Sequence, residues 1–318
     1  MTVPDTKEVS KQPSFAKKLE QHRKNIISLI PIAKPNHVFY KNNSFIICLG
    51  KKISLTTYRP YTIKNFLPTI LYIPGTAFIA NSPAYTDLIC SHMAQKSNCQ
   101  VIAIDLPLAP EYQFPHNIYA GFSALKFLLN SPSVWTKIDL EKVALLGYSS
   151  GGNFAISMGI LAKKDNLPIN KLILISPALD LSLSIKGFEE KYESKDKTIP
   201  TSFLDWVLDL YIPSEVKRDD PLLSPFWQNE RELQGLPQTD IIVGEYDRFR
   251  GDAEEFYRKL LRANVVVNKL VVQGGDHSLW WQQIGIAQAI ARRIGVSFNS
   301  AQHSDFTSHA KQSRAFPL

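Results

Sequence analysis

A serine, an aspartate and a histidine in this chain have the types and the order needed for nucleophilic catalysis. Ser149 lies in Gly-Tyr-Ser-Ser-Gly, Asp247 in Gly-Glu-Tyr-Asp, and His277 in Gly-Gly-Asp-His. A serine hydroxyl attacks a carbonyl carbon when a base removes its proton, and an imidazole serves as that base when a carboxylate fixes its tautomer. Each residue alone has a structural interpretation, as a turn serine, a loop aspartate or a loop histidine. Together they predict a Ser–His–Asp triad.

The pentapeptide around Ser149 matches the nucleophile elbow, a tight turn between a strand and a helix. The apolar run at residues 142–146 predicts the strand, and residues 153–163 predict the helix. Glycine is expected two residues before and two residues after the serine, because side chains at those places would collide in so tight a turn. Ser150 cannot replace Ser149, because the shifted frame puts Tyr148 where a glycine is needed.

Strands and helices alternate along most of the chain, which predicts a mostly parallel central sheet with helices on both faces. Two alternating runs joined by Gly50-Lys51 predict an antiparallel hairpin at the edge of that sheet. The strands predicted from continuous apolar runs are residues 69–73, 100–104, 142–146, 171–175 and 240–243. Ligands in such α/β folds bind at the carboxyl ends of the strands, where all three candidate residues are expected.

The composition narrows the function class. The 318 residues are 44% hydrophobic and 20% charged, and the net charge of +7 is dispersed, so no nucleic-acid partner is expected. The three cysteines form no Cys-x-x-Cys pair and the seven histidines show no zinc spacing, which predicts reduced thiols, a cytoplasmic location, and no metal or other cofactor. The apolar run at residues 26–33 is short and broken by Pro31, so no stable membrane insertion is expected.

The chain resembles the hormone-sensitive-lipase-like branch of the α/β-hydrolases, the bacterial group of carboxylesterases and lipases, from about Arg59 to His277. Its Gly-Tyr-Ser-Ser-Gly-Gly-Asn is similar to Gly-Asp-Ser-Ala-Gly-Gly-Asn of that branch, and its Asp-Leu-Pro-Leu-Ala-Pro-Glu is similar to Asp-Tyr-Arg-Leu-Ala-Pro-Glu. The chain order of Ser149, Asp247 and His277 is also the α/β-hydrolase order. Further counterparts are Phe114-Pro115 and residues 176–180, 220–225 and 244–247.

The resemblance implies an α/β-hydrolase fold with a helical cap. It implies an N-terminal cap segment at residues 1–36, and a hydrolase domain at residues 37–318 with a cap insertion at about residues 182–220. It also implies the hydrolysis of esters with short to medium acyl chains, with the triad roles for the three candidate residues. Glu111 and Asp180 would then be structural supports near the site.

The largest departure from the branch lies in the loop expected to hold the oxyanion. Where the branch has His-Gly-Gly-Gly before an aromatic residue, this chain has Pro-Gly-Thr-Ala-Phe at residues 74–78. Backbone N–H groups of Thr76, Ala77 and Ser150 are the predicted donors, since a backbone donor does not depend on its side chain. The two missing glycines restrict the loop, and one missing donor would lower turnover by about 10²–10³.

Residues beside the predicted triad complete the expected site. The predicted substrate pocket consists of Gly75, Phe78, Tyr148 and Trp280. The expected reaction is ester cleavage through an acyl-enzyme, and the expected partner is a small-molecule ester, with a homodimer left open. Two alternatives remain at this point: an amidase or formamidase that uses the same triad, and a receptor-like binding protein of the same fold without catalysis.

Overall fold

The fold is known from a computed structural model, which describes residues 13–28, 35, 38, 40–48, 50–60, 66–130, 137–183, 198–282 and 284–299. Over these residues the chain forms one eight-stranded sheet that is covered by helices. Of the predicted N-terminal cap segment only helix α1 (Pro13–Ser28) and residue 35 are described, and residues 184–197 of the predicted cap insertion lie outside the described residues. The division into cap and hydrolase domain therefore stays a prediction.

The sheet is mostly parallel, with an antiparallel edge. Its strands are β1 (Tyr40–Cys48), β2 (Lys51–Arg59), β3 (Leu67–Ile73), β4 (Gln100–Asp105), β5 (Ile138–Tyr148), β6 (Lys171–Ile175), β7 (Gln238–Gly244) and β8 (Val267–Val272). Their order across the sheet is β1-β2-β4-β3-β5-β6-β7-β8. Strand β2 pairs antiparallel with both β1 and β4, whereas the other pairings are parallel. The predicted fold class and the edge hairpin are confirmed.

Helices pack on both faces of the sheet. They are α2 (Pro83–Ser97), α3 (His116–Asn130), α4 (Ser150–Lys164), α5 (Thr201–Tyr211), α6 (Glu230–Leu233), α7 (Arg250–Arg262), α8 (Leu279–Gln282) and α9 (Ile284–Asn299). None of the described helices is long and apolar enough to cross a membrane.

Two hydrophobic cores explain why the central strands are apolar along their whole length. Successive strand residues point to opposite faces, so Leu71 and Leu145 join a core with α3, α4 and α7. Their neighbours Tyr72 and Leu146 join a second core with α2 and α9. A parallel strand between two helical layers has no solvent face, and its sequence therefore loses the polar alternation of a surface strand.

Two element boundaries near the candidate site differ from the predicted ones. Strand β5 continues to Tyr148, and α4 begins at Ser150 rather than at residue 153. The elbow turn therefore consists of Ser149 alone.

Candidate active site

Ser149 occupies a strained turn between β5 and α4. Its φ of 56° and ψ of −122° are unusual for a residue with a side chain. A Cβ on Gly147 would lie 2.1 Å from the carbonyl oxygen of Gly151, which is the predicted collision across the turn. A Cβ on Gly151 would lie 2.2 Å from the carbonyl oxygen of Ile73, at the end of β3. The second glycine is thus required by the neighbouring strand and not only by the turn itself.

The three predicted triad residues lie within hydrogen-bond distance of one another. Asp247 follows β7 and His277 follows β8, so the parallel sheet brings their loops to the same edge as the elbow. The Nε2 atom of His277 is 2.9 Å from Ser149 Oγ. Its Nδ1 atom is 3.2 Å from Oδ1 and 3.3 Å from Oδ2 of Asp247. With the proton on Nδ1, the imidazole donates to the carboxylate and leaves Nε2 ready to accept the serine proton.

The charge on Asp247 is stabilised although the residue is buried. Burial alone would raise the pKa of this carboxyl, but attraction to His277, the hydrogen bond with His277 and the bond from the backbone N–H of Phe249 lower it below its ordinary value. The Phe249 N–H lies 2.9 Å from Oδ1. The carboxylate therefore stays ionised wherever an imidazole titrates, and it can stabilise the imidazolium that forms during proton transfer.

Tyr148, the residue before the candidate nucleophile, contacts the histidine loop. Its hydroxyl donates to the carbonyl oxygen of His277 at 2.8 Å, and its ring stacks on the imidazole with centroids 5.4 Å apart. Phe249 also contacts the imidazole, edge to face, with centroids 5.1 Å apart. Two aromatic side chains thus pack against the ring of His277, which restricts its orientation.

The segment at residues 74–80, called the oxyanion loop below, lies beside Ser149. It is closed by backbone bonds from Ile79 and Ala80 to the carbonyl oxygen of Thr76, at 3.0 and 2.8 Å. Ala77 and Phe78 have φ values of 45° and 63°, a left-handed conformation that a residue with a Cβ rarely adopts. The loop thus keeps a tight turn without the glycines that the hormone-sensitive-lipase-like branch has in this loop.

The side chain of Ser150 binds this loop. Its Oγ accepts the backbone N–H of Thr76 at 2.9 Å and lies 3.2 Å from Thr76 Oγ1. Of the three predicted oxyanion donors, the N–H of Thr76 is therefore already engaged. Among the hydrogen bonds between described residues, none uses the N–H of Ala77 or of Ser150.

A cavity of about 260 Å³ opens above Ser149 and His277. Its floor and one side consist of Ser149, His277, Tyr148 and residues 75–77 of the oxyanion loop. The remaining wall comes from α1 and from the segment leading into α5. The residues that line it outside the triad are His22, Asn25, Ile26, Gly75, Thr76, Ala77, Tyr85, Tyr148, Thr198, Ile199, Pro200 and Phe203.

Comparison with known proteins identifies the family. The sequence profile of the α/β-hydrolase-fold family matches residues 70–280, which include all three triad residues. The chain belongs to the α/β-hydrolase family. It is 29% identical over 218 residues to an arylesterase of Saccharolobus solfataricus, covering 66% of this chain and 67% of that one.

Two further proteins, a receptor and an ester-hydrolase, are similar to this α/β-hydrolase. The gibberellin receptor GID1 of Oryza sativa subsp. japonica is 30% identical over 190 residues, which cover 57% of this chain and 52% of the receptor. The solved structure of an ester-hydrolase, EH1AB1 from the metagenome of Lake Arreo, shares the fold with a TM-score of 0.80. That likeness has 23% sequence identity and covers 94% of this chain and 99% of the other.

Two predicted pocket residues of this α/β-hydrolase lie elsewhere. Phe78 is turned away from the cavity and stacks on Tyr211 at 4.3 Å, because its left-handed backbone directs the side chain into the core. Trp280 is fully buried and donates its Nε1 proton to the hydroxyl of Tyr72. Both predictions are corrected: these rings belong to the core. Gly75 and Tyr148 line the cavity, and their part in a substrate pocket stays a prediction.

Several cavity residues have no signal in the sequence. His22, Asn25 and Ile26 belong to α1, and no pattern in the sequence indicates that this turn of α1 faces the cavity. The sequence likewise gives no sign that Tyr85, near the start of α2, or residues 198–200 line the cavity. Among the residues that the structure describes, no group of three or more His, Cys, Asp or Glu side chains is arranged to hold a metal ion.

Proposed function

We propose that this chain is a carboxylesterase that works through an acyl-enzyme on Ser149. The proposal rests on the 2.9 Å contact between Ser149 Oγ and His277 Nε2 at the floor of an open cavity. His277 takes the hydroxyl proton as Oγ attacks the ester carbonyl, and then gives it to the leaving alcohol. Asp247 keeps the imidazole in the required tautomer. Water activated by the same histidine releases the acid.

The proposed oxyanion hole differs from the sequence-based one in the part assigned to Thr76. Ala77 and Ser150 supply the backbone N–H groups that bind the oxyanion, which the absence of other partners among the described residues supports. Thr76 instead holds the loop against α4, through its bond to Ser150 Oγ. Two preorganised backbone donors are what acyl transfer requires at this place.

The proposed substrates are esters with short to medium acyl chains, from acetyl to hexanoyl. The cavity of about 260 Å³ is small beside the roughly 300–1,000 Å³ of typical ligand pockets. In a small apolar pocket one methylene changes the transition-state free energy by about 1–3 kcal/mol, so the preference should be sharp. Measuring kcat/KM with acyl chains of two to sixteen carbons tests this, and a maximum at twelve or more carbons would contradict it.

Two alternatives are separated by experiment. An amidase or formamidase would use the same triad, and comparing kcat/KM for an ester and an amide of the same acid distinguishes them. A receptor-like binding protein is the other, since one relative is the gibberellin receptor GID1. The contact between Ser149 and His277 favours the enzyme, because a binding site has no need of a base at the serine.

A fluorophosphonate probe tests the enzyme directly. The probe reacts only with an activated serine, so the wild-type chain should be labelled and should hydrolyse p-nitrophenyl butyrate. Ser149→Ala should remove both, with an unchanged unfolding transition. A labelled Ser149→Ala variant would move the nucleophile to another residue, and an unlabelled, inactive wild-type chain would favour the binding protein.

A further inference from the structure

Arg23 connects the N-terminal helix α1 with the oxyanion loop. Its Nε donates to the carbonyl oxygen of Ile79 at 2.7 Å, and its Nη2 donates to the carbonyl oxygen of Ala109 at 2.9 Å. The same guanidinium forms a two-pronged ion pair with Glu111, at 3.0 and 2.7 Å to the two carboxylate oxygens. One side chain thus joins α1 to two segments that are distant in the sequence, the oxyanion loop and residues 109–111.

The two carbonyl groups belong to one small network around the strained turn. Ile79 follows the left-handed residues directly, and its N–H closes the turn on Thr76. Ala109 accepts Arg23 through its oxygen and donates its N–H to the carbonyl oxygen of Phe78 at 3.0 Å. The carbonyl groups of both Phe78 and Ile79 are therefore fixed from outside the loop. Each of these carbonyls shares its peptide group with an N–H, that of Ile79 or of Ala80, and both N–H groups donate to the carbonyl oxygen of Thr76. The peptide group of that oxygen carries the Ala77 N–H, so the held carbonyls orient the Ala77 N–H through Thr76.

Glu111 orients the guanidinium for this task. Burial would raise the pKa of Glu111, but the hydrogen bonds and the charge of Arg23 bring it below its ordinary value, so the pair is ionised at neutral pH. A planar fork that meets a carboxylate with two parallel bonds has a defined direction, which a lysine ammonium lacks. The remaining N–H groups of Arg23 consequently point at the two carbonyls.

The same turn of α1 faces the cavity. His22, next to Arg23, lines the cavity wall together with Asn25 and Ile26. His22 also packs on Trp206 of α5 with ring centroids 4.4 Å apart, which ties this turn to the other side of the cavity. Arg23 therefore links the position of α1 beside the cavity to the shape of the oxyanion loop.

We propose that Arg23 is a positioning residue for the oxyanion hole, which reaches its reactive shape only while α1 is seated and Arg23 holds Ile79 and Ala109. Arg23 touches neither the substrate nor the triad in this proposal; it acts through the backbone of the loop. The inference rests on the proposed esterase function. It gives α1 a part in the chemical step, beyond that of covering the cavity.

A helix that only covered the cavity would affect catalysis differently. Loosening such a cover would change mainly KM, and would change it most for esters long enough to reach α1. Misplacing an oxyanion donor lowers kcat for every acyl chain alike, because each substrate forms the same oxyanion. A displacement of about 1 Å near a reacting group can cost about 10²-fold in rate.

The experiment compares Arg23→Gln, Arg23→Lys and the control Lys24→Gln in the full chain, with p-nitrophenyl acetate and butyrate. Lys24 is the next residue of α1, and its ion pair among the described residues is an exposed one with Glu20, so its replacement should leave both constants unchanged. Arg23→Gln should lower kcat about 10- to 100-fold for both esters, with KM within about threefold. Arg23→Lys should fall between, because an ammonium meets Glu111 without reaching both carbonyls. If Arg23→Gln loses its cooperative unfolding transition, Arg23→Lys supplies the comparison.

Chemical rescue completes the test. Arg23→Ala leaves space for a free guanidinium ion, and adding guanidinium at a non-denaturing concentration should restore kcat severalfold, whereas sodium chloride of equal ionic strength should not. Two results would contradict the role of Arg23 without affecting the proposed esterase function. One is an unchanged kcat in Arg23→Gln, and the other is a rise in KM alone that guanidinium does not reverse. A wild-type chain without ester hydrolysis would instead remove the proposed function on which the role depends.

Discussion

The two halves of the candidate site are held by different means. The triad residues stand at the ends of β5, β7 and β8, and the sheet alone brings Ser149, Asp247 and His277 together. The oxyanion loop follows β3 but receives its shape from side chains elsewhere. Ser150 binds its Thr76 N–H, and Arg23 binds its Ile79 carbonyl. One half is positioned by topology and the other by long-range contacts.

The difference indicates where this chain tolerates change. The resembling branch shapes its loop with glycines, whose backbone adopts left-handed conformations without strain. Here Thr76 and Ala77 stand at the corresponding places, and the elbow provides a hydroxyl, that of Ser150, where the branch has alanine. The expected consequence is a graded response: changes in the triad should stop the reaction, whereas changes around the loop should slow it.

Asp247→Asn should lower kcat severely while leaving the shape of the triad unchanged. The amide is isosteric, but it favours the wrong imidazole tautomer, and in serine proteases this change lowers kcat by about 10⁴. Hydrolysis of p-nitrophenyl butyrate and the thermal unfolding transition should be measured on the same preparations. A loss below about tenfold with an intact fold would show that Asp247 does not orient the base.

Within the triad, His277 and not Asp247 should set the pH dependence of kcat/KM. The pKa of Asp247 is lowered, so this carboxylate stays ionised as pH falls through the range of about 5–8 in which an imidazole titrates. The base must be neutral to accept the Ser149 proton, so kcat/KM should fall by about tenfold per unit below the histidine's pKa in the free enzyme. The profile should be recorded with an uncharged ester, and a flat profile over this range would exclude a histidine base.

The triad half could be predicted from the sequence because its positions follow from strand ends. Three residues in the right order, each after an apolar run, lie at one edge of a parallel sheet without further information. The family assignment and the fold class are confirmed on the same basis. The elbow glycines were predicted from the tightness of the turn, although the neighbouring strand β3 makes Gly151 necessary as well.

The oxyanion half could not be predicted to the same depth, because its contacts join residues far apart in the chain. Nothing in the sequence places Arg23 on Ile79 or turns Phe78 toward Tyr211. The side-chain bond of Ser150 was also missed, since only its backbone was assigned a part. The homodimer and the cytoplasmic location stay predictions.

Ser150→Ala sharpens the comparison on the loop side. Without the hydroxyl, the Thr76 N–H loses its acceptor and the loop loosens, while the Ala77 and Ser150 backbone donors remain. The loss should stay below the about 10²–10³ of a deleted donor, and we expect roughly tenfold in kcat with little change in KM. Ser157→Ala, which removes another hydroxyl of α4 that bonds Leu222, should leave kcat unchanged. A faster Ser150→Ala variant would mean that the freed Thr76 N–H binds the oxyanion.

Tyr148→Phe tests the contact between the elbow and the histidine loop. It removes the hydroxyl that donates to the His277 carbonyl at 2.8 Å but keeps the ring against the imidazole. A net hydrogen bond contributes about 0.5–1.5 kcal/mol, so kcat should fall between about twofold and tenfold. Tyr211→Phe, which loses a longer bond of 3.3 Å to Asn117, is the matched control and should lower stability slightly while sparing kcat. Equal kcat in Tyr148→Phe and the wild type would show that the Tyr148 hydroxyl is not needed to orient His277.

Restoring glycine in the loop should give the smallest effect, and one that depends on the position. Ala77 has a φ of 45°, and the left-handed conformation costs a residue with a Cβ about 1–2 kcal/mol. Ala77→Gly removes this strain but adds about 0.5–1 kcal/mol of unfolded-chain entropy, so the free energy of unfolding should stay within about 1 kcal/mol of the wild type. Thr76 is not among the left-handed residues, and its Oγ1 contacts Ser150 Oγ.

Thr76→Gly therefore relieves no strain, loses a buried hydroxyl contact and adds the same entropy, so it should destabilise the protein by about 1–2 kcal/mol. Urea unfolding of both variants measures the difference, and kcat for p-nitrophenyl butyrate should follow the same order. Equal destabilisation by the two glycines would mean that the turn at Ala77 is not strained. The two positions where the branch has glycine would then be equivalent for the free energy of unfolding.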